Sequence, residues 1–291
     1  VTKKNLGSLL SDIYGIFENT HEVTEENLDL FASNCKEVLR KAVKEAGSDQ
    51  QTTLRMSNLG TPDRKLWYSF KMPSKSSRSL TADNYINFLY GHILEELLLF
   101  LVREAGHKVT HEQDEVSVSG VVGHLDCCID DVPVDVKSAS QYGFQKFSDG
   151  SLLRGDDPFG YIEQISGYAN ALGKTEAAFL TINKNRGELA LLRVPDIFIS
   201  NTEKRVEHVR DFLEDETPPE RCYPDEPQYK NAKNNGNRKL AMPCVFCPFK
   251  FDCWDNLRAF QYSGKVEYLT EVAREPKVAD VTAGYKDKIK G

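Results

Sequence analysis

At 291 residues the chain has room for two average domains, or one large domain with an appended module. Hydrophobic residues at 40% and charged residues at 28% exclude a disordered chain and describe a soluble globular one. A net charge of −7 excludes a globally basic nucleic-acid binder, though not local basic patches. The Val1-Thr2-Lys3-Lys4 start carries no apolar signal core, so no secretion is expected. Residues 1–50 read as a helical N-terminal region: an amphipathic Asn5–Phe17, then Thr24–Ala46 with Leu28, Phe31, Val38, Leu39 and Val43 near helical spacing, Cys35 within it and Gly47 as its stop. Residues 51–82 are loop-like, punctuated by Gly60, Pro62 and Pro73. Asp83–Ala105 reads as a helix apolar on most faces, hence buried, and ended by Gly106. Its longest apolar run, Leu97 to Val102, falls short of the roughly 20 residues of a membrane span, so no membrane is expected. Strands follow at Val116–Val118, Val122–Ile129 and Val132–Val136, a helix at Pro158–Leu172, a hairpin of Ala177–Asn183 with Glu188–Val194, and a charged helix over 201–213. The order implies a mixed α/β core over 51–215, a cysteine-bearing region over 216–263 and a charged tail over 264–291.

The segment from Gly123 to Lys137 is the most informative. A two-residue turn at Asp130-Asp131 sets Asp126 directly opposite Asp135. One face of the resulting hairpin carries Leu125, Cys127, Ile129, Val132, Val134 and Val136 and must face the core; the other carries His124, Asp126, Cys128, Pro133, Asp135 and Lys137. Opposed carboxylates repel. A divalent cation with a preference for hard oxygen ligands, such as Mg²⁺, converts that repulsion into binding. Lys137, on the same face, reaches whatever the metal holds. The apolar helix adds His92, Glu95 and Glu96 on one face, and the later helix pairs Gln164 with Tyr168 one turn apart.

In this order, Gly91-His92, Gly123-His124-Leu125-Asp126, Asp135-Val136-Lys137 and Gln164-Ile165-Ser166-Gly167-Tyr168 resemble the motifs of RecB-type PD-(D/E)XK nucleases, over about residues 57 to 172. The resemblance implies a restriction-endonuclease-like mixed central sheet flanked by helices. It implies a phosphodiesterase using Mg²⁺ or Mn²⁺, with Asp126, Asp135, His92 and the main-chain carbonyl of Val136 as metal ligands. Lys137 would orient or activate the attacking water and offset charge on the phosphorane, and Gln164 and Tyr168 would fix Lys137 and the nucleic-acid backbone.

Seven cysteines, four of them between Cys222 and Cys253, argue against a disulfide framework and for a metal site in a reducing compartment. Cys244, Cys247 and Cys253 form a C-x2-C-x5-C run. It resembles the C-terminal triad of iron–sulfur RecB-type nucleases, the AddB family and CRISPR-associated RecB-like exonucleases among them, which implies a [4Fe–4S] cluster. The upstream cysteine of those families, in a segment like Ser-x-x-x-x-Cys-x-Arg-x-x-Trp-Tyr, is missing from Ser57–Tyr68. Cys222, in a polar loop near Pro218-Pro219, is the expected fourth ligand, with Cys35 the remote alternative; four thiolates suit zinc equally well.

Two stretches are basic and interleaved with aromatics: Arg64 to Thr81, with Arg64, Lys65, Lys71, Lys75 and Arg78, and Gln228 to Phe251, with Lys230, Lys233, Arg238, Lys239 and Lys250. Cations for phosphates beside rings for bases make a composition suited to single-stranded DNA. The expected activity is therefore a metal-dependent DNA exonuclease in recombination, degradation or end processing. It would be cytoplasmic, in a prokaryote or a phage-infected host. No Walker motif is present, so any helicase or recombination partner is a separate chain. The alternatives are a structure-specific or restriction-like endonuclease on the same fold, and a non-catalytic DNA-binding module with a structural zinc or iron–sulfur site.

Overall fold

The computed structural model describes residues 4–45, 52–73, 82–230 and 232–285, apart from the side chains of Glu45 and Lys230. Gly47, Lys75, Arg78 and Thr81 lie outside the described residues. The chain divides into two compact units, one of residues 1–60 and 79–209, the other of residues 61–78 and 210–291.

The first unit opens with helices α1 (Leu9–Glu18) and α2 (Glu25–Glu45), and the short α3 (Met56–Leu59) follows. Helix α5 (Ala82–Glu104) then leads to strands β1 (Val109–Thr110), β2 (Glu115–Val118), β3 (Val121–His124), β4 (Cys127–Ile129) and β5 (Val132–Ala139), numbering α4 (Asp63–Lys71) with the second unit. After α6 (Gln141–Ser148) and α7 (Tyr161–Ala171) come β6 (Ala177–Asn183) and β7 (Leu189–Val194). Helix α8 (Thr202–Glu214) runs from the first unit into the second. The central sheet has the order β1-β4-β5-β6-β7; β5 and β6 are parallel and every other pair is antiparallel. It is thus the expected mixed sheet, with helices on both faces. Leu9 and Ile13 of α1 and Leu94, Leu98, Leu99 and Val102 of α5 pack on Cys127, Ile129, Val134, Val136, Ala178 and Leu180. On the other face the rings of Phe147 and Tyr161 meet Phe179.

The Asp130-Asp131 turn has the expected register, pairing Cys127 with Val134, Cys128 with Pro133 and Ile129 with Val132. Both turn residues have positive φ, 50° and 70°, as the tight hairpin turn requires. Several expectations change. The stretch read as loop-like over 51–82 carries the helices α3 and α4. The single strand Val122–Ile129 is two strands: β3 pairs with β2 in a separate ribbon, and the chain leaves it at Leu125-Asp126 before β4 joins the central sheet. And α5 is buried only in its second half, where Leu94 to Val102 meet the sheet; Ile86, Phe88 and Tyr90 are exposed. By length and composition alone α5 is apolar enough to cross a membrane.

The second unit holds α4, strands β8 (Glu226–Lys230) and β9 (Lys233–Lys239), the short α9 (Met242–Val245) and α10 (Lys250–Cys253), and strands β10 (Arg258–Tyr262), β11 (Lys265–Glu271) and β12 (Ala279–Asp280). Its sheet is antiparallel, in the order β12-β10-β11-β9-β8, over its own core of Leu240, Leu257, Ala259 and Tyr268. Residues 264–291, expected as a charged tail, therefore contain a central strand. In β11 the adjacent Tyr268 and Leu269 are buried while Lys265 and Glu271 at its ends are exposed.

Candidate active site

Strand β5 brings Asp135 and Lys137 to one face of the sheet because their side chains are two residues apart. Asp135 has no exposure at all, and its register partner across the parallel pair is Phe179. The polar face of the hairpin is thus covered, not solvated: α7 lies over it. Gln164 Nε2 donates to Asp135 Oδ1 at 3.3 Å and lies 3.1 Å from the Tyr168 hydroxyl oxygen. Lys137 Nζ stands 2.6 Å from Asp135 Oδ2 and 5.4 Å from the centre of the Tyr161 ring. Lys137 is thus the cation that meets the buried Oδ2 of Asp135.

Asp126 sits at the break between β3 and β4. Its carbonyl accepts from Gln113 N at 3.2 Å, and its Oδ2 accepts the Val136 N–H at 2.7 Å. The side chain thereby reaches across to β5 and faces Asp135. Burial, then the charges of Asp135 and Glu95, push the Asp126 carboxyl well above its ordinary range, against Lys137 and the Val136 N–H. Burial and Glu95 push Asp135 up as well, against the opposing pull of Lys137. Burial disfavours the Lys137 ammonium, but Asp135 and Asp126 outweigh it and hold the lysine charged.

Glu95, which the sequence reading set on one face with His92 and Glu96 but gave no role, is the glutamate that acts on both aspartates. It lies one turn beyond His92 on α5, its side chain 15% exposed, and accepts from Gln113 Nε2 at 2.9 Å. His92 is 61% exposed and 3.7 Å from Glu95. Glu96 faces elsewhere: its carboxylate takes a 2.9 Å hydrogen bond from Asn34 of α2, and burial raises its pKa. The signal for Glu95 was its spacing from His92, which two adjacent glutamates made ambiguous.

The cysteine run lies wholly in the second unit. Burial pushes the Cys244 thiol up to about 12, with Cys247, Cys253 and Cys222 adding to it in that order. Helix α4 packs beside the run: Tyr68 stacks on Phe249 at 5.4 Å, and its hydroxyl donates to the Asp252 carbonyl at 3.0 Å. Arg64, two residues after Pro62, donates to the Pro219 carbonyl at 2.5 Å. Cys222, three residues beyond Pro219, is thereby carried close to the start of α4. Cys35 is on α2 of the first unit, near Glu96. Among the described residues, no group of three or more His, Cys, Asp or Glu side chains stands in ligating arrangement.

The expected DNA-contacting cations are unevenly placed. Arg64 is committed to Pro219 and lies over the Tyr68 ring at 5.6 Å; Lys65 lies near Cys247. Arg238 is paired with Asp225 at 2.6 Å and Lys239 with Glu226 at 3.5 Å. Lys233 is exposed at the start of β9; the Lys230 side chain is outside the described residues.

No family model and no curated protein matches the sequence. Among solved structures, one described as SSO0001 is similar with a TM-score of 0.40 and 15% identity, over 75% of this chain and 95% of that one. An alkaline exonuclease from Laribacter hongkongensis is similar with a TM-score of 0.34 and 16% identity, over 54% of this chain and 89% of its own. The same exonuclease in complex with dAMP gives 0.33 and 16%, over 55% and 90%. These likenesses are partial, and the reaction is read from the residues of the site.

Proposed function

We propose that the chain is a metal-dependent deoxyribonuclease acting on DNA ends or single strands. The observation that carries this is Asp135: a wholly buried carboxylate beside Asp126, with Lys137 on one oxygen and Gln164 on the other. Hard oxygen donors gathered with more negative than positive charge suit Mg²⁺ or Mn²⁺. Asp126, Asp135 and the Val136 carbonyl would hold the ion, with His92 and Glu95 at its side. When bound, it supplies Lewis acidity, which eases deprotonation of water and offsets charge on the phosphate. Lys137 keeps its ammonium beside the reacting phosphate and stabilises the charge that develops there. Gln164, bridging Asp135 and Tyr168, fixes the carboxylate's orientation. Asp126 is fixed by the Val136 N–H.

We also infer a [4Fe–4S] cluster on Cys222, Cys244, Cys247 and Cys253. The nearness of Cys247, Cys253 and Cys222 to Cys244 supports the set, and so does the tie from Arg64 to Pro219. In the resembled motif the upstream cysteine falls at the position of Pro62, so Cys222 approaches the cluster from the neighbouring segment. Zinc on the same thiolates is the competing reading, and metal analysis after anaerobic purification separates them.

The deciding assay is cleavage of end-labelled linear and of circular single-stranded DNA with Mg²⁺ or Mn²⁺. Release of nucleotides from linear ends alone is expected. Nicking of circles would favour the endonuclease. Binding without cleavage by pure wild-type protein would leave only the DNA-binding module.

A further inference from the structure

The loop between Asp156 and Gly160 is locked at both ends and presents a ring that the core does not use. At one end Lys146, almost fully buried, sets its Nζ 2.6 Å from Asp156 Oδ1. At the other, Asp157 accepts the backbone N–H groups of Gly160, Tyr161 and Ile162 at 2.9, 3.0 and 2.9 Å, capping α7. Gly160 has φ +76° and lies against the backbone of Gly60, where a Cβ would come within 2.2 Å. Between these anchors Phe159 is 61% exposed.

Single exposed hydrophobic residues are ordinary on protein surfaces. Phe159 differs in its mount and in its neighbour. One face of its ring is stacked on Tyr161, with centroids 5.4 Å apart and planes 30° from parallel. Tyr161 in turn carries Lys137 Nζ at 5.4 Å from its ring centre. The exposed ring is therefore one ring removed from the lysine of the site. A rigid aromatic loses little freedom when a ligand settles on it. A flat ring close to a phosphate-binding cation is the arrangement that holds single-stranded nucleic acid, the ring taking the base and the cation the backbone.

We propose that Phe159 is the stacking platform for the nucleobase adjoining the phosphate that is cleaved, with Tyr161 as its backing ring. This rests on the nuclease reading of the site. It implies that the terminal base leaves duplex stacking to be seated, so frayed or single-stranded ends are preferred to blunt ones.

The test places 2-aminopurine at successive positions from the end of a single strand and uses Asp135→Asn protein to bind without cutting. Stacking on Phe159 should quench the probe at one position near the end. Phe159→Ala should abolish that quench and weaken binding by roughly 5- to 100-fold, whereas Phe159→Trp should keep both. In otherwise wild-type enzyme, an abasic site at the same position should raise KM, and Phe159→Ala should erase the difference between abasic and normal strands. Cleavage by wild type with a normal abasic response in Phe159→Ala overturns this proposal alone. A wild type that neither binds nor cleaves any DNA overturns the nuclease reading and this proposal with it. A wild type with the same KM for abasic and normal strands also overturns this proposal, and that comparison uses unaltered protein, so a folding defect in the variant does not mask it.

Discussion

Asp126 and Asp135 lie side by side where little water reaches them, and that shapes the metal-free protein. Folding raises the Asp126 carboxyl above its ordinary value. The stability it contributes is therefore present below the ordinary carboxylate range and is lost as pH rises towards its folded value. Above that value the opposed charges work against the fold until a cation joins them. Asp126→Asn keeps an acceptor for the Val136 N–H and removes the charge. In EDTA at pH 8 its Tm should exceed that of wild type, each kcal/mol gained appearing as about 2–4 °C, with the gap closing at acid pH. Cleavage and the stabilisation by Mg²⁺ should both disappear; a Tm at or below wild type at pH 8 counts against the arrangement. Lys137 is the opposite case. Lys137→Ala leaves Asp135 buried without its cation and should cost about 2–4 kcal/mol in urea melts. Adding Asp135→Asn should restore most of the loss, whereas additive losses would show that the pair is not coupled.

Helix α7 begins where it does because of Asp157 and Gly160. The apolar pattern predicts a helix from Pro158, yet the carboxylate of Asp157 caps the first turn and the left-handed Gly160 delays the start to Tyr161. That start sets the phase of Gln164 and Tyr168. Gly123 completes the seating, since a Cβ there would meet Tyr168 at 2.8 Å and Met56 at 2.7 Å. Gly160→Ala should destabilise by roughly 2–4 kcal/mol, because strain at positive φ adds to a backbone clash with Gly60, and activity should fall with it. Gly155→Ala, at φ +95° but with nothing within 4 Å of the added carbon, should cost about 1 kcal/mol and leave activity intact. Equal urea midpoints for the two variants would refute the close approach. The break at Leu125-Asp126 is the other decision taken at this scale. A continuous strand would keep Asp126 within the ladder; the break frees its carboxylate to take the Val136 N–H.

Each unit of the molecule has its own sheet and its own core. The second core is small, and the cysteine run is packed against it through Cys244, Val245, Phe251 and Trp254. Removal of the proposed metal should therefore melt the second unit before the first. Calorimetry of metal-stripped protein should show two transitions, with early loss of amide protection confined to residues 61–78 and 210–285. Cys222→Ser should behave like the stripped protein and Cys35→Ser like wild type; iron retained in Cys222→Ser would reverse the ligand assignment. With a net charge of −7, the proposed DNA binding would depend on local cations. Since Arg238 and Lys239 are paired with Asp225 and Glu226, Lys233→Ala should lower the log–log salt slope by roughly 0.7, the loss of one single-strand phosphate contact, and Arg238→Ala by less.

Short-range rules made part of this protein legible in its sequence. The Asp130-Asp131 turn sets the hairpin register, alternation puts Asp135 and Lys137 on one face, and helical spacing puts Gln164 and Tyr168 on one side of α7. Each depends on residues within a few positions of one another, so local pattern is sufficient. The rest comes from residues far apart in the chain. Parallel pairing of β5 with β6 sets Asp135 beside Phe179. The packing of α5 on the sheet brings Glu95 to the aspartates while Glu96 takes a hydrogen bond from Asn34. Residues 61–78 join the C-terminal unit, and Pro219 is tied to Arg64. None of these has a local signature, because which apolar face covers which is decided by the burial of whole elements against one another.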